Sequence, residues 1–567
     1  MRQRKNPHLL GDFISNEIKI VTSSQMQEID KKTISDYGIK SLNLMENAGK
    51  KVSEVAMKII GKNSLLCRKG VKTSATICVC CGGGNNGGDG LVAARYLAGR
   101  KHKVKVLVFS RNLSKDTAAN LEILKKKKIP FIFIDNKSQL LRYKNEIFSA
   151  DLIIDALIGT GLKGGVKGFL KEVISFLNGG KTKILSVDCP SGLAPDTNLN
   201  LDNCVRAFAT VTLALPKKNL VIYPSREFVG NLYIADIGIP KELLRSLNAG
   251  DSLINRNLVL PWIKTTRKPD AHKGDFGHVF IIAGSKKMPG ASVLTAQGVL
   301  RSGAGLVTLA VPESIHRIVA TKLTEAMTLP LSETKEGSLS PKAEEEILRF
   351  VSDKADIVII GPGTSLNKET GRLIRSLLGK IKKPILVDAD AITHLSKNIN
   401  ILKERKGVTV ITPHPGEMSR LTKISSREVN KKRIEVASGF SSEYKICTVL
   451  KGASTVVAAP TGEVFVNMTG NPAMSSGGMG DVLSGLIAGY MAQTLKPVPT
   501  LRRDDSGQEF SALQSCITGV YVHGMTADYL KTKMGERGIL ASDVASSIPL
   551  VSQKVIMGKL TDKFFLV

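Results

Sequence analysis

The run Ala75-Thr-Ile-Cys-Val-Cys-Cys81 passes directly into Gly82-Gly-Gly-Asn-Asn-Gly-Gly-Asp-Gly90 and then into a helical pattern through Leu91, Ala94, Tyr96 and Leu97. A strand that is apolar on both faces must be covered on both, which is the condition of a parallel strand inside an α/β sheet. The glycine loop that follows leaves backbone N–H groups bare at the start of a helix, the layout of a phosphate-binding Rossmann-like turn. The unit recurs. Strands are expected at Lys105–Phe109, Phe131–Ile134, Leu152–Asp155, Ile184–Asp188 and Thr210–Leu213, alternating with helical stretches. Their alternation predicts a doubly wound parallel sheet. Ahead of them, residues 1–20 read as a loose arm. Ser23 or Ser24 then caps a helix over Met26, Ile29 and Ile34, and a second helix runs from Leu42 to Ile60.

Beyond Ile239-Pro240 the alternation lapses into turn chemistry, Asn248-Ala-Gly-Asp-Ser252 and Asn255-Arg-Asn257. A chain of 567 residues exceeds one hydrophobic core. The boundary is expected between 245 and 257, separating a first domain at 21–247 from a second at 258–565. The second α/β series has strands at Val279–Ala283, Gly305–Val311, Asp356–Ile360, Pro384–Asp388, Thr409–Ile411 and Ile446–Leu450, then a hairpin through Thr455–Ala458 and Val464–Asn467. Residues 493–511 read as an insertion between two helices.

Ligands of open α/β sheets bind beyond the carboxyl ends of the strands, and there the polar residues collect. In the first half they are Asn85-Asn86-Gly-Gly-Asp89, Asp155 with Gly159-Thr-Gly-Leu-Lys-Gly-Gly165, and Asp188-Cys-Pro-Ser191. Asn86, Asp155 and Ser191 offer the oxygens a monovalent or hard cation takes, and Asp188 is an acid/base candidate. A capping or turn role stays open for each carboxylate. In the second half, Ser475-Ser-Gly-Gly-Met-Gly-Asp-Val-Leu-Ser-Gly485 is a glycine loop opening an amphipathic helix, an anion cradle at the positive end of a helix dipole. Asp481 beside a bound phosphate is explained if it takes a proton from a hydroxyl attacking phosphorus, or more plainly if it is an N-cap.

The net charge of +30 invites a nucleic-acid reading. The lysines are scattered, however, and aromatic residues are only 5% of the chain, too few for base stacking. No nucleic-acid partner is expected. No apolar run is long enough to span a bilayer and the first residues lack a signal-peptide core, so a cytoplasmic protein without a membrane partner is expected. The cysteines sit in apolar runs without a second cluster for zinc and are expected to be free thiols.

Asn85-Asn-Gly-Gly-Asp-Gly-Leu-Val-Ala-Ala-Arg-Tyr-Leu97, Asp155 with Gly159-Thr-Gly-Leu162, and Val187-Asp-Cys-Pro-Ser-Gly-Leu193 resemble the epimerase domain of the NAD(P)H-hydrate repair enzymes. The resemblance implies interconversion of the R and S forms of hydrated NADH or NADPH (NADHX, NADPHX). It implies K+ on Asn86, Asp155 and Ser191, the dinucleotide on Asn85, Asn86, Gly87, Gly88, Asp89, Gly159, Thr160, Gly161, Leu162, Lys163, Gly164 and Gly165, and Asp188 as acid/base partner of the ring. Gly83 and Cys189 depart from the usual proline and branched apolar residue without removing a functional group.

The second half resembles the ribokinase-like fold, and within it the nucleotide-dependent NAD(P)H-hydrate dehydratases, through His272-Lys-Gly274, Met288-Pro-Gly-Ala291, Gly361-Pro-Gly363, His414-Pro-Gly-Glu417, Lys451-Gly-Ala-Ser-Thr455 and Asn471-Pro with Gly477-Gly-Met-Gly-Asp481. The resemblance implies ADP or ATP as co-substrate on Lys451, Gly452, Ala453, Ser454, Thr455 and Gly480, with Mg2+ on its phosphates. The hydrate would meet Ala291, Gly363, His414 and Asp481, the last as catalytic base. Enzymes of this kind often assemble symmetrically, so a homo-oligomer is expected. The rival reading is a ribokinase-like small-molecule kinase carrying a non-catalytic nucleic-acid-binding or scaffold domain.

Overall fold

The computed structural model describes residues 17–63, 74–161, 164–194, 196, 201–247, 250–263, 267–495 and 505–567. The arm up to residue 16, Leu162 and Lys163 of the first ligand loop, and 496–504 of the insertion lie outside them. The chain divides into two compact units, one of 18–249 with 563–567, the other built on 250–562.

The first unit holds an eight-stranded sheet in the order Phe564–Leu566, Asn231–Ala235, Ala209–Leu213, Ile184–Val187, Leu152–Ala156, Thr76–Cys81, Lys103–Val108, Phe131–Phe133. Every pairing is parallel. The chain enters at Thr76–Cys81, moves two strands one way, then returns to the other side at Leu152–Ala156. The crevice outside these two strands is the switch point where such sheets bind ligands. The helix Ser23–Ser35 is capped by Thr22 rather than by a serine and buries Met26, Ile29 and Thr33, whereas Ile34 is exposed. Its inward face is one residue off the expectation, and Asp30 sits beside it.

Two strands of this sheet lie outside the sequence reading. Asn231–Ala235 follows the last expected strand, and Phe564–Leu566 comes from the far end of the chain. Residues 563–567 therefore correct the expected limit of 565 for the second domain. The pairing of Phe564 with Leu232 and Leu566 with Ile234 is a backbone event between segments over three hundred residues apart, invisible to local pattern.

In the second unit the strands follow the order Asp251–Leu253, Val464–Val466, Val456–Ala458, Cys447–Leu450, Thr409–Ile411, Ile385–Val387, Ile357–Ile360, His278–Ile282, Leu306–Pro312, Met327–Leu331. Only Val456–Ala458 runs antiparallel to its neighbours. Asp251–Leu253 pairs with Val464–Val466, so this unit starts ahead of the expected 258. A three-residue strand flanked by turn residues carries too little alternation to be read locally. The switch point falls between His278–Ile282 and Ile357–Ile360. This unit has the ribokinase-like α/β architecture, and the first unit a Rossmann-like one.

The helix that begins at the Ser475–Gly480 loop, Met479–Thr494, packs on Pro289–Ser302 almost backbone to backbone. A Cβ at Gly485 would stand 2.0 Å from the Thr295 carbonyl oxygen, and one at Gly298 2.4 Å from that of Val482. No side chain rotation relieves a clash with backbone. Gly485→Ala is therefore expected to destabilise the second unit by about 2–3 kcal/mol, the upper part of the range for overpacking, measured by denaturant unfolding. Unchanged stability would mean the two helices are free to separate. Among the described residues the cysteines are free and buried, and no helix is long and apolar enough to cross a membrane.

Candidate active sites

At the first switch point the helix Asn85–Gly99 starts immediately after strand Thr76–Cys81, with Gly84 as its cap. The N–H groups of Gly87 and Gly88 turn back to the Gly84 carbonyl, so the helix end is presented by Asn85 and Asn86. At two glycines of the loop a side chain would not fit. A Cβ at Gly87 would stand 2.0 Å from the Gly82 carbonyl oxygen, and one at Gly88 2.5 Å from the sulfur of Met45. Gly161 and Gly164, by contrast, have open space, as a ligand-facing loop requires. Gly159 lies against the Asn86 side chain, 3.2 Å from a built Cβ, and Thr160 follows half-exposed.

Asp155, next to last in its strand, is fully buried and accepts four hydrogen bonds. Ser191 Oγ donates to Oδ1 at 2.5 Å and Leu157 N–H at 3.3 Å, while Ser186 Oγ and Ser191 N–H reach Oδ2 at 2.8 and 2.9 Å. Burial raises its proton affinity, and these donors pull it back. Ile158 N–H donates to Ser191 Oγ at 2.9 Å, tying the 158–161 loop to the same cluster. Asn86 has both its side-chain oxygen and nitrogen buried without a partner. Orphaned polar atoms in such a place are the ordinary sign of a missing ligand, ion or water.

Asp188 has a left-handed backbone, φ 64°, which an aspartate adopts at a cost and which turns its side chain back over the strand ends. Lys217, 1% exposed, donates to Asp188 Oδ1 at 2.5 Å. Asp89, buried on the helix Asn85–Gly99, has its carboxyl pushed well up by burial and by Asp188 and Asp30. Asp30 is pushed up to about 6, chiefly by burial. Sequence reasoning missed Lys217 and Asp30. The signal for Asp30 was its place beside Met26, Ile29 and Thr33 on one helical face; Lys217, in a plain Pro-Lys-Lys turn, gave none.

In the second unit Gly478, at φ 87°, caps the helix Met479–Thr494, and Val482 N–H is bonded to its carbonyl at 3.1 Å. The N–H groups of Met479, Gly480 and Asp481 therefore lie at the open helix end. Lys451 comes to the same place: a Cβ at Gly480 would stand 3.4 Å from its Nζ. Lys451 Nζ donates to Asp388 Oδ1 at 2.6 Å, and Ser484 Oγ, one turn beyond Asp481, donates to Asp388 Oδ2 at 2.7 Å. Burial, reinforced by Asp388 and opposed by Lys451, pushes Asp481 up to about 7. Glu417 reaches about 7 as well, through burial. Burial alone would depress Lys451, but Asp388, Glu417 and Asp481 hold it above the usual lysine range.

His414 caps the helix Pro415–Thr422, accepting N–H bonds from Gly416 and Glu417 at Nδ1, 2.9 and 3.3 Å, which leaves its proton on Nε2. Its proton affinity is lowered by burial and by Lys451. Ala291 and Gly363 meet: a Cβ at Gly363, φ 64°, would stand 2.8 Å from that of Ala291. The nucleotide-loop residues Gly452 and Ala453 are exposed, Ser454 adopts φ 53°, and Thr455 Oγ1 donates to the Gly452 carbonyl at 2.9 Å. Beneath them Arg433, unremarked in the sequence, donates to the carbonyls of Leu450 and Lys451 at 2.8 and 2.9 Å. Asp528 braces the approach to the glycine loop, accepting from Gly470 N–H and the Asn471 amide, both at 2.9 Å.

A model of the NAD(P)H-hydrate dehydratase family matches residues 279–550, and one described as YjeF-related protein N-terminus matches 41–219. The bifunctional NAD(P)H-hydrate repair enzyme Nnr of Moorella thermoacetica is 38% identical over 537 residues, covering 94% of this chain and 96% of its own. That of Escherichia coli is 31% identical over 536 residues, covering 94% and 93%. The chain belongs to the family of bifunctional NAD(P)H-hydrate repair enzymes. A solved ADP/ATP-dependent NAD(P)H-hydrate dehydratase of Bacillus subtilis, co-crystallized with ATP/Mg2+, is 27% identical and covers 53% of this chain and 98% of its own, with a TM-score of 0.43. Membership along the whole length disfavours the kinase with a non-catalytic module.

Proposed function

We propose that the chain restores hydrated NAD(P)H at two sites. The first unit interconverts the R and S hydrates, and the second dehydrates the S form with ADP or ATP, releasing phosphate and AMP or ADP. The observation that carries the second step is the convergence of Asp481, Lys451 and an open helix N-terminus on one point. Asp481 takes the proton from the ring hydroxyl as its oxygen attacks the terminal phosphorus of the nucleotide. The bond from phosphorus to the leaving nucleotide breaks as the new one forms. The amides of Gly477 to Gly480 and the Lys451 ammonium hold the developing phosphate charge. The C–O bond to phosphate then breaks, phosphate takes the electron pair, and loss of a proton from the adjoining ring carbon regenerates the dihydronicotinamide. Ala291, Gly363 and His414 take the hydrate, and Lys451 through Thr455 with Gly480 the nucleotide.

Mg2+ would enter with the nucleotide, keeping most of its water, taking oxygens from the ADP or ATP phosphates and neutralising their charge. In the first unit the donors suit K+: the unpartnered Asn86 oxygen, Asp155 and Ser191 Oγ would hold it. The bound ion would offset a buried carboxylate and fasten the 158–161 loop. Asn85 through Asp89 and Gly159 through Gly165 take the dinucleotide, and Asp188 exchanges the proton at the ring. We further read the protein as a cytoplasmic homo-oligomer and, on the scattered lysines and sparse aromatics, as having no nucleic-acid partner.

The test follows absorbance of reduced nicotinamide as purified protein meets the mixed hydrates with Mg2+, K+, and ADP or ATP in turn. Full recovery is expected. Asn86→Ala should raise the K+ concentration needed for R-epimer recovery by about tenfold, the worth of one strong polar contact. Absence of recovery with either nucleotide would overturn the dehydratase assignment.

A further inference from the structure

Every described hydrogen bond to Asp188 falls on one oxygen. Lys217 Nζ at 2.5 Å, Leu213 N–H at 3.2 Å and Thr212 Oγ1 at 3.5 Å all reach Oδ1. Lys217 is itself held by the Thr212 hydroxyl at 3.2 Å and the Leu213 carbonyl at 3.1 Å, so its ammonium has a fixed place. The segment carrying it is pinned from the other side, where Val21 N–H donates to the Pro216 carbonyl at 3.0 Å. That contact brings in the helix Ser23–Ser35 and with it Asp30.

We propose that Lys217 and Asp30 are positioning residues of the epimerase site: Lys217 occupies Oδ1 of Asp188 so that Oδ2 is the oxygen that exchanges the proton with the hydrated ring, and Asp30 opposes Lys217 electrostatically. The inference rests on the reading of Asp188 as the acid/base group. Around that group stand Lys217, Asp30 on the helix Ser23–Ser35, Asp89 on the helix Asn85–Gly99 and the neighbouring Cys189 thiol, which also feels Asp196 and Asp155. One ammonium faces three carboxyls, so full ionisation would leave a net charge of −2 in a buried place, and burial opposes it. Burial pushes the Asp89 carboxyl well up and the Asp30 carboxyl up to about 6. Asp188 is the carboxyl in direct contact with the ammonium, at 2.5 Å. Burial alone would depress Lys217, yet Asp188 and its neighbours hold it above the usual lysine range, so the ammonium stays charged.

A lysine that serves only the fold would pair with a carboxylate and stop there. This one leaves an aspartate oxygen free, on a residue held in a strained conformation at the switch point of the sheet. Removing the cation makes Asp188 easier to protonate; removing the opposing anion makes it harder. The two changes have opposite signs, which mere loss of packing does not produce.

The experiment measures the pH profile of R-epimer conversion by the full-length protein with K+, read through its own dehydratase at saturating nucleotide once the S epimer is exhausted. Lys217→Met is expected to lower the rate at least about tenfold and move the acid limb up by on the order of one pH unit; Asp30→Asn should move it down. Thermal unfolding is recorded for both. A folded Lys217→Met with an unmoved limb overturns the proposal, and if that variant does not fold, an unmoved limb in Asp30→Asn does so. Asp188→Asn separates the two levels. If it converts the R epimer at the normal rate, the acid/base reading fails and this inference with it. If it is inactive while the other limbs stay in place, only this inference fails.

Discussion

Asp481→Asn is expected to lower dehydration of the S hydrate by about 10²–10⁴-fold, the usual worth of a positioned proton acceptor, while R-to-S epimerisation continues. The amide keeps the shape of the carboxyl and its place in the first turn of Met479–Thr494, so the glycine loop and nucleotide affinity should survive. What is lost is the proton acceptor. In the wild type this acceptor sits at about 7, because burial and Asp388 together outweigh the attraction of Lys451. A base must be deprotonated to act, so kcat/KM for dehydration should fall as pH drops through about 7, and the residual activity of the variant should lack that limb. The check is single-turnover absorbance recovery from the purified S epimer across pH. Near-normal recovery in Asp481→Asn would leave Asp481 as an ordinary first-turn residue.

Lys451→Met is expected to act twice. It leaves Asp388, 1% exposed, with Ser484 alone against its charge. Breaking a buried pair on one side costs about 3 kcal/mol, toward the low end of the range because Lys451 keeps some contact with water. It also removes the cation that holds the Asp481 proton affinity down, so the acid limb of dehydration should move to higher pH, and the KM for nucleotide should rise. Denaturant unfolding reads the first effect and steady-state kinetics the second. Loss of stability with an unmoved limb would restrict Lys451 to a structural role.

The glycine loops and the strands they follow were legible because each depends on short-range pattern. An apolar run, glycines and then a helical period occur within about twenty residues, and the loop sits at the strand end by construction. The candidate residues Asn86, Asp155, Asp188 and Asp481 were named from the same pattern, and Lys451 from the family resemblance. Arg433, Asp528, Lys217 and Asp30 were not, since each reaches a loop from a different element and carries no local mark. Ile34 was placed inside and lies outside because a helical face is fixed only to within a residue by the period alone.

The sequence by itself determined two α/β units and the loops where phosphates and a ring would sit, because side-chain period and glycine placement are local properties of the chain. Tertiary structure decided which charges meet: Lys217 with Asp188, Lys451 with Asp388 and Asp481, and the chain's last strand with Asn231–Ala235. Proton affinities near neutrality arise only when burial and a neighbouring charge act on the same group, and both are set by segments that the linear chain keeps far apart.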